Sequence, residues 1–419
     1  MQDVERLVVE TARRARAASR RLAVTGGGVR RFALEAMADG LEARAAEVLE
    51  ANAMDVSEAR AAGQSAAFVD RLNLDRRRLS GMAGALRELA AQPDPLGLTE
   101  AAWVRPNGLE IARVRVPIGV VAILYESRPD VTSDAAGLCV KSGNACILRG
   151  GSEAARSNAA IADVLGDRGV SAGLPEDFVQ VVLDRERQAL PILLRQERDV
   201  DLVIPRGGEG LIRLVVEQSR IPVIKQYKGV CHTYVHHDAE LPTALAICEN
   251  AKCQRPATCN AMETLLVDRA AAERFLPAVA RRMLARGVVL HGCPETCRLV
   301  PGALPATEET WDTEYLDLAL SVRVVNGLDA ALEHIARHGT GHSEAILTTS
   351  YETAQRFLRE VDAAAVYVNA STRLTDGGQF GLGAEIGIST QKLHARGPMG
   401  AADLTTYKYV IRGSGQLRE

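Results

Sequence analysis

The segment Asn250-Ala251-Lys252-Cys253-Gln254-Arg255-Pro256-Ala257-Thr258-Cys259-Asn260-Ala261 is the first place in the chain to look for chemistry. It starts at an expected helix end and precedes an expected strand, so Pro256 and Cys259 should lie in a loop. A loop thiol with Lys252 and Arg255 nearby can be held partly as thiolate, the nucleophilic form. The plain alternative is a buried, inert cysteine. Eight cysteines stand at 139, 146, 231, 248, 253, 259, 293 and 297 without a CxxC pair, the pattern of reduced thiols rather than of a disulfide framework.

Two glycine-rich turns could cradle phosphate. Arg149-Gly150-Gly151-Ser152-Glu153 follows an expected strand and opens an expected helix, whose free N–H groups and dipole favour an anion. Pro205-Arg206-Gly207-Gly208-Glu209-Gly210 repeats the arrangement after a later strand. Neither is the GxGxxG fingerprint, and a glycine turn is by default only a turn. Two at one edge of one sheet favour a dinucleotide site.

Lysine occurs only at 141, 225, 228, 252, 392 and 408, against a large excess of arginine. Each surviving lysine is therefore mildly informative, and Lys225, Lys228 and Lys252 fall in one stretch that ends close to Cys259. Histidines at 334, 338 and 342 have a metal-like spacing, as do His291, Cys293 and Cys297. Neither set has a complete ligand complement, and Gly339 and Gly341 should end the helix before His342. No metal site is expected.

The elements that must position these residues follow from periodicity. The first 90 residues read as two or three amphipathic helices, broken at Gly26-Gly27-Gly28 and at Gln92-Pro93-Asp94-Pro95. Pro106-Asn107-Gly108 marks a hairpin between 103 and 115. From 117 onward, apolar runs at 120–124, 145–148, 179–183, 201–204 and 223–224 alternate with helical segments near 133–142, 154–166, 186–197 and 209–219. Such runs imply strands buried on both faces of a parallel, doubly wound sheet. A second series follows 229, with strands near 264–267, 322–325, 345–348 and 365–368, and helices near 242–251, 270–285, 328–337 and 351–360. The composition is ordinary for a globular chain: 47% hydrophobic, 25% charged and a formal net charge of -3. Neither nucleic acid nor a membrane is an expected partner, and a cytoplasmic protein is expected.

Longer motifs sharpen the reading. Val116-Pro117-Ile118-Gly119-Val120, Tyr125-Glu126-Ser127-Arg128-Pro129-Asp130, Ile224-Lys225-Gln226-Tyr227-Lys228-Gly229, the Cys259 segment, His334-Ile335 through His342-Ser343-Glu344, and Phe380-Gly381-Leu382-Gly383-Ala384-Glu385-Ile386-Gly387 span most of the chain. Together they resemble the aldehyde dehydrogenase superfamily and, within it, the γ-glutamyl phosphate reductase family. The resemblance implies an α/β fold in three parts: a Rossmann-like NADP-binding domain at 1–99 and 117–228, a catalytic domain at 229–384, and a β oligomerisation arm pairing 100–116 with 385–419.

It also implies NADPH-dependent reduction of γ-glutamyl 5-phosphate to glutamate 5-semialdehyde through a cysteine thioester, with phosphate released. By that resemblance Cys259 is the nucleophile, and its backbone N–H, with that of Asn260, is the candidate oxyanion donor. Arg149, Ser152, Gly207, Gly208 and Glu314 would bind the cofactor. Ser152 stands where NAD-preferring relatives often carry a glutamate, which favours NADP. Lys225, Lys228, Arg255 and His342 would contact the substrate. The glutamate that activates water in oxidative relatives falls around Lys225-Gln226, neither of which can act as a carboxylate base. A homodimer or homotetramer is implied, and glutamate 5-kinase, which makes the labile substrate, is a candidate partner. Two rivals stay open: an oxidative aldehyde dehydrogenase, which needs that missing base, and a catalytically silent protein of the same fold, with an unreactive Cys259.

Overall fold

A computed structural model describes residues 2–182 and 188–418. Alanine, arginine and glutamate at helical spacing produce four long helices, Gln2–Leu22, Gly27–Ala43, Ala45–Ala61 and Arg76–Ala91, with a short one at Ala66–Leu72. Gly26 takes the N-cap position of the second. Asp75 caps the fourth, its side chain accepting the Arg78 N–H at 2.7 Å. The second helix buries Ala33, Leu34, Met37, Ala38 and Leu41, the stripe expected of a helix with one wet face.

These helices cover a four-stranded sheet in the order Val179–Val181, Ala145–Arg149, Val120–Tyr125, Leu202–Arg206. All pairs are parallel. Val120–Tyr125 is buried along its whole length, as continuous apolar runs require. The expected strand at 223–224 is reduced to a single bridge between Val223 and Val203. The expected strand end at Leu183 and the expected helix start at 186 lie outside the described residues, and the described helix there is Ala189–Leu193.

A second, seven-stranded sheet is also wholly parallel. Its order is Leu304–Pro305, Val289–Gly292, Ala319–Val325, Met262–Asp268, Cys231–Val235, Ser343–Leu347, Ala365–Val368. The hairpin around Asn107-Gly108 forms as read, with Thr99–Val104 antiparallel to Glu110–Pro117 and Gly108 at φ 82° in the left-handed region. Strand Thr405–Arg412 joins its other side, pairing Thr405 with Pro117 and Arg412 with Glu110.

The segment 385–419 divides in two. Residues 405–412 join the three-stranded arm sheet, whereas Ile386, Ala395, Met399, Ala401 and Leu404 belong to the hydrophobic core of the first sheet and its helices. Asn144 ties this return in place, donating from Nδ2 to the Leu404 carbonyl at 2.7 Å. No described helix is long and apolar enough to cross a membrane.

Candidate active site

Helix Leu241–Cys253 runs out at Gln254, and the chain turns before strand Met262–Asp268 begins. Cys259 sits in that turn, half-buried. The turn is fastened at several points. Thr258 Oγ1 donates to the Arg255 carbonyl at 2.9 Å, and the Ala261 N–H donates to the Thr258 carbonyl at 3.0 Å. Asn260 Nδ2 donates to the Thr375 carbonyl at 2.8 Å, and Arg373 donates to Asn260 Oδ1. Gly229 passes directly beneath: a Cβ there would lie 1.9 Å from the Cys259 carbonyl oxygen. Only glycine permits that approach.

The electrostatics overturn one expectation. Lys252 does not serve the thiol; it is completely buried and donates to Glu263 Oε2 at 2.6 Å. Burial pushes the Cys259 thiol up from its ordinary value, opposed by the positive charge of Arg206 and a hydrogen bond with Gln226 and reinforced by Glu385 and Glu314. The resting sulfur is therefore mostly protonated at neutral pH. A cation adjacent in sequence was the wrong cue, because the helix turns Lys252 towards the second sheet.

The thiol opens onto a cavity of about 1630 Å³, ample for a dinucleotide and a small substrate together. Its walls come from both sheets. Arg149, Ser152, Gly207 and Gly208 line it from the first; Arg255, Cys259, Asn260 and Glu314 line it from the second. The two glycine turns expected to hold phosphate thus face the same space as the sulfur. Each is filled by a carboxylate of the chain itself. Glu126 accepts the Gly208 N–H at 2.9 Å, and Glu153 folds over Gly151 to accept the Ser127 N–H at 2.8 Å and its hydroxyl at 2.7 Å. The Gly208 N–H is thus already paired with an anionic oxygen, whereas the Glu153 carboxylate lies against Gly151 while bonded to Ser127.

A sequence profile described as the Aldehyde dehydrogenase family matches residues 2–297. The chain is 56% identical over 414 residues to a protein named gamma-glutamyl phosphate reductase from Moorella thermoacetica, covering 99% of each. The solved gamma-glutamyl phosphate reductase of Thermotoga maritima superimposes with a TM-score of 0.96 at 46% identity, over 98% of this chain and 100% of that one. This chain belongs to the aldehyde dehydrogenase family and, within it, to the γ-glutamyl phosphate reductases. An acetylating aldehyde dehydrogenase from Geobacillus thermoglucosidasius shares the fold, with a TM-score of 0.70 at 18% identity.

Within this reductase scaffold the remaining expected residues fall on three levels. Lys225 lines the main cavity, with its ammonium 4.8 Å from the centre of the Tyr227 ring. Lys228 does not; it borders an adjoining recess with Glu209, Glu309 and Glu314, its Nζ 3.9 Å from Glu209 Oε2. Glu314 reaches both spaces and accepts the Gly229 N–H at 2.8 Å, while burial raises its carboxyl.

His342 cannot touch a substrate. It is fully buried, with Nδ1 at 2.8 Å from Ser343 Oγ, because Gly339 and Gly341 end the helix and feed His342 into the interior start of a strand. The other two histidines of that spacing have separate partners: His334 Nδ1 lies 2.8 Å from an Arg323 nitrogen, and His338 Nδ1 lies 2.8 Å from Asp312 Oδ1.

Several wall residues carry no assigned role in the sequence. Arg128, Arg206 and Arg373 join Arg255 around the thiol end of the cavity, with Gln226 and Glu385. Glu385 Oε2 accepts the Gly377 N–H at 2.8 Å, and Oε1 lies 4.0 Å from Arg206 Nη2. Arg128, Arg206, Gln226 and Glu385 belong to distinctive motifs and Arg373 to none; only the fold brings 128, 206, 373 and 385 to one wall.

Proposed function

We propose that this chain reduces γ-glutamyl 5-phosphate to glutamate 5-semialdehyde with NADPH, releasing inorganic phosphate, the second step of proline biosynthesis from glutamate. The observation that carries the reading is the company of Cys259: the side chain that meets the thiol is Gln226, an amide, and the cavity around it carries the cations Arg128, Arg206, Arg255, Arg373 and Lys225. An amide cannot draw a proton from water, so Gln226 is no base for hydrolysis, and the Glu385 carboxylate at that end of the cavity is engaged by the Gly377 N–H and faces Arg206. Guanidinium groups pair well with phosphate and carboxylate, both of which the substrate carries.

The chemistry assigned to the chain balances as follows. Cys259 Sγ bonds to the acyl carbon as the C–O bond to phosphate breaks; the thiol proton leaves with the phosphate, and a thioester remains. When bound, NADPH supplies a hydride to that carbonyl carbon. The carbonyl then re-forms as the C–S bond breaks, freeing the aldehyde, and the Cys259 thiolate takes up a proton from solvent to restore the resting thiol.

For the cofactor, the turns at Gly151 and Gly207-Gly208 would take the pyrophosphate in place of Glu153 and Glu126. Glu314 would hold the nicotinamide ribose, and Arg149 with Ser152 would favour a 2′-phosphate. The division into a cofactor domain at 1–99 with 117–228 and a catalytic domain at 229–384 belongs to the same reading, as does a homodimer or homotetramer joined through an arm; the arm expected at 100–116 with 385–419 narrows to 100–116 with 405–412, because 386–404 pack into the first core. Trp103, Tyr407 and Tyr409 are exposed there on one chain, which supports that assembly. Transfer from glutamate 5-kinase would shorten the exposure of a labile acyl phosphate; unchanged product yield with the kinase physically separated would argue against it.

The test runs the reaction backwards, with glutamate 5-semialdehyde, phosphate and NADP, following NADPH absorbance. Turnover should require phosphate and should fall by at least about 10⁴-fold in Cys259→Ala. Phosphate-independent oxidation would favour an oxidative dehydrogenase instead.

A further inference from the structure

The motif Gly341-His342-Ser343-Glu344 stands out in the sequence, yet none of its residues lines the main cavity. It lies behind the nucleophile. Cys231, at the start of the neighbouring strand, is fully buried, and its thiol donates to the carbonyl oxygen of Cys259 across 3.2 Å. Behind that thiol, His342 Nδ1 lies 3.6 Å from Cys231 Sγ and 2.8 Å from Ser343 Oγ. Ser343 Oγ is 2.6 Å from Thr375 Oγ1, which is 2.7 Å from the Tyr367 hydroxyl. Thr375 closes the loop, because its own carbonyl accepts from Asn260 Nδ2. The catalytic turn is thus held at two consecutive residues by one buried chain of polar groups.

A trans peptide is planar, with its C=O and N–H pointing in opposite directions. Fixing the Cys259 carbonyl inward onto Cys231 therefore aims the N–H of the same peptide, that of Asn260, outward. Asn260 lines the cavity beside Cys259, and among the described residues its N–H has no protein acceptor. The acyl oxygen of a substrate bonded to Cys259 gains negative charge in that space. We propose that Cys231 and His342 are positioning residues that hold the Cys259–Asn260 peptide so that the Asn260 N–H is an oxyanion donor. Gly229, which must lack a Cβ for this carbonyl to sit where it does, completes the arrangement.

This inference rests on the proposed reduction, and the measurements separate the two. Cys231→Ala removes the donor to the carbonyl, whereas Cys231→Ser restores an O–H at the same place. Alkylation of Cys259 by iodoacetamide, followed by mass spectrometry of its peptide, reads the sulfur alone, since that displacement forms no oxyanion. In the reverse assay, Cys231→Ala should lower kcat by about 30-fold, within reach of the 10²–10³-fold effect of losing a whole oxyanion donor. KM for glutamate 5-semialdehyde and the alkylation rate should stay within about twofold, since neither binding nor the thiol is altered. Cys231→Ser should recover about tenfold of the loss, and His342→Gln should fall between the two.

A kcat for Cys231→Ala close to that of the wild type would overturn the inference alone. So would a parallel fall in alkylation, or a serine variant no better than alanine. If Cys231→Ala proves too unstable to assay, judged by its thermal midpoint, the comparison of Cys231→Ser and His342→Gln with wild type decides by the same readouts. A wild type inert towards glutamate 5-semialdehyde overturns the proposed function and this inference together.

Discussion

The catalytic turn and the two glycine turns face one cavity but are prepared for their tasks in opposite ways. Around Cys259 every fastening comes from behind or beside: Cys231 on its carbonyl, Thr375 and Arg373 on Asn260, Gly229 underneath. On the reacting face, among the described residues, only the Gln226 amide meets the thiol. At Gly208 the ligand-facing N–H itself is taken by Glu126, and over Gly151 lies the Glu153 carboxylate, held by Ser127. A nucleophile gains from being fixed before its substrate arrives, because misplacement slows the chemical step directly. A phosphate site can be filled by an exchangeable carboxylate, which keeps its N–H groups satisfied until the cofactor displaces it.

The contrast can be broken experimentally, beginning with the most severe substitution. Gly229→Ala drives a Cβ into the Cys259 carbonyl and should reduce kcat by about 100-fold or more, measured in the reverse assay, while NADPH binding persists. If activity survives, the turn is not fixed from below. Lys252→Ala strands the Glu263 carboxylate in the core and should cost about 3–5 kcal/mol of stability, read from denaturant unfolding; a loss confined to activity would return Lys252 to the active site.

The pH dependence of alkylation tests the protonated resting thiol. Because burial raises the folded value, the thiolate is scarce at neutral pH, and the rate at Cys259 should still be climbing with pH between 7 and 9. A plateau below pH 8 would contradict the burial assigned to it. The mildest change is at the glycine turn. Glu126→Gln removes a negative charge from the N-terminus of helix Glu209–Gln218 and should tighten NADPH binding by about two- to fivefold at low salt, by fluorescence titration. Weaker binding would make Glu126 a ligand rather than a placeholder.

Much of this was legible in the residues, and what was not follows a physical pattern. Val120–Tyr125 and Ala145–Arg149 announced themselves as apolar runs because a strand buried on both faces has no polar side. Cys231–Val235, near the centre of the second sheet, went unread. Its His232 and Thr233 look like surface residues, and only the fold reveals that His232 is buried with both its N–H and Nδ1 against Glu344, at 2.8 and 3.0 Å. Cys259 was found from its loop and its resemblance, but its neighbours were chosen by sequence distance. Lys252, seven residues away in the sequence, is paired with Glu263 in the interior, whereas Arg206, from the other sheet, supplies the favourable charge. His342 was assigned to the substrate because its motif is distinctive; its role lies one layer deeper.

The return of residues 386–404 to the first core has a consequence for how the protein is made. Val120, Ile147 and Leu34 share that core with Met399 and Leu404. A ribosome emits the chain in order, so the lobe whose helices emerge first stays incomplete until its last few contributors appear. Through most of synthesis, that apolar patch must wait exposed, and a chaperone that binds nascent hydrophobic surface would have its longest dwell time there.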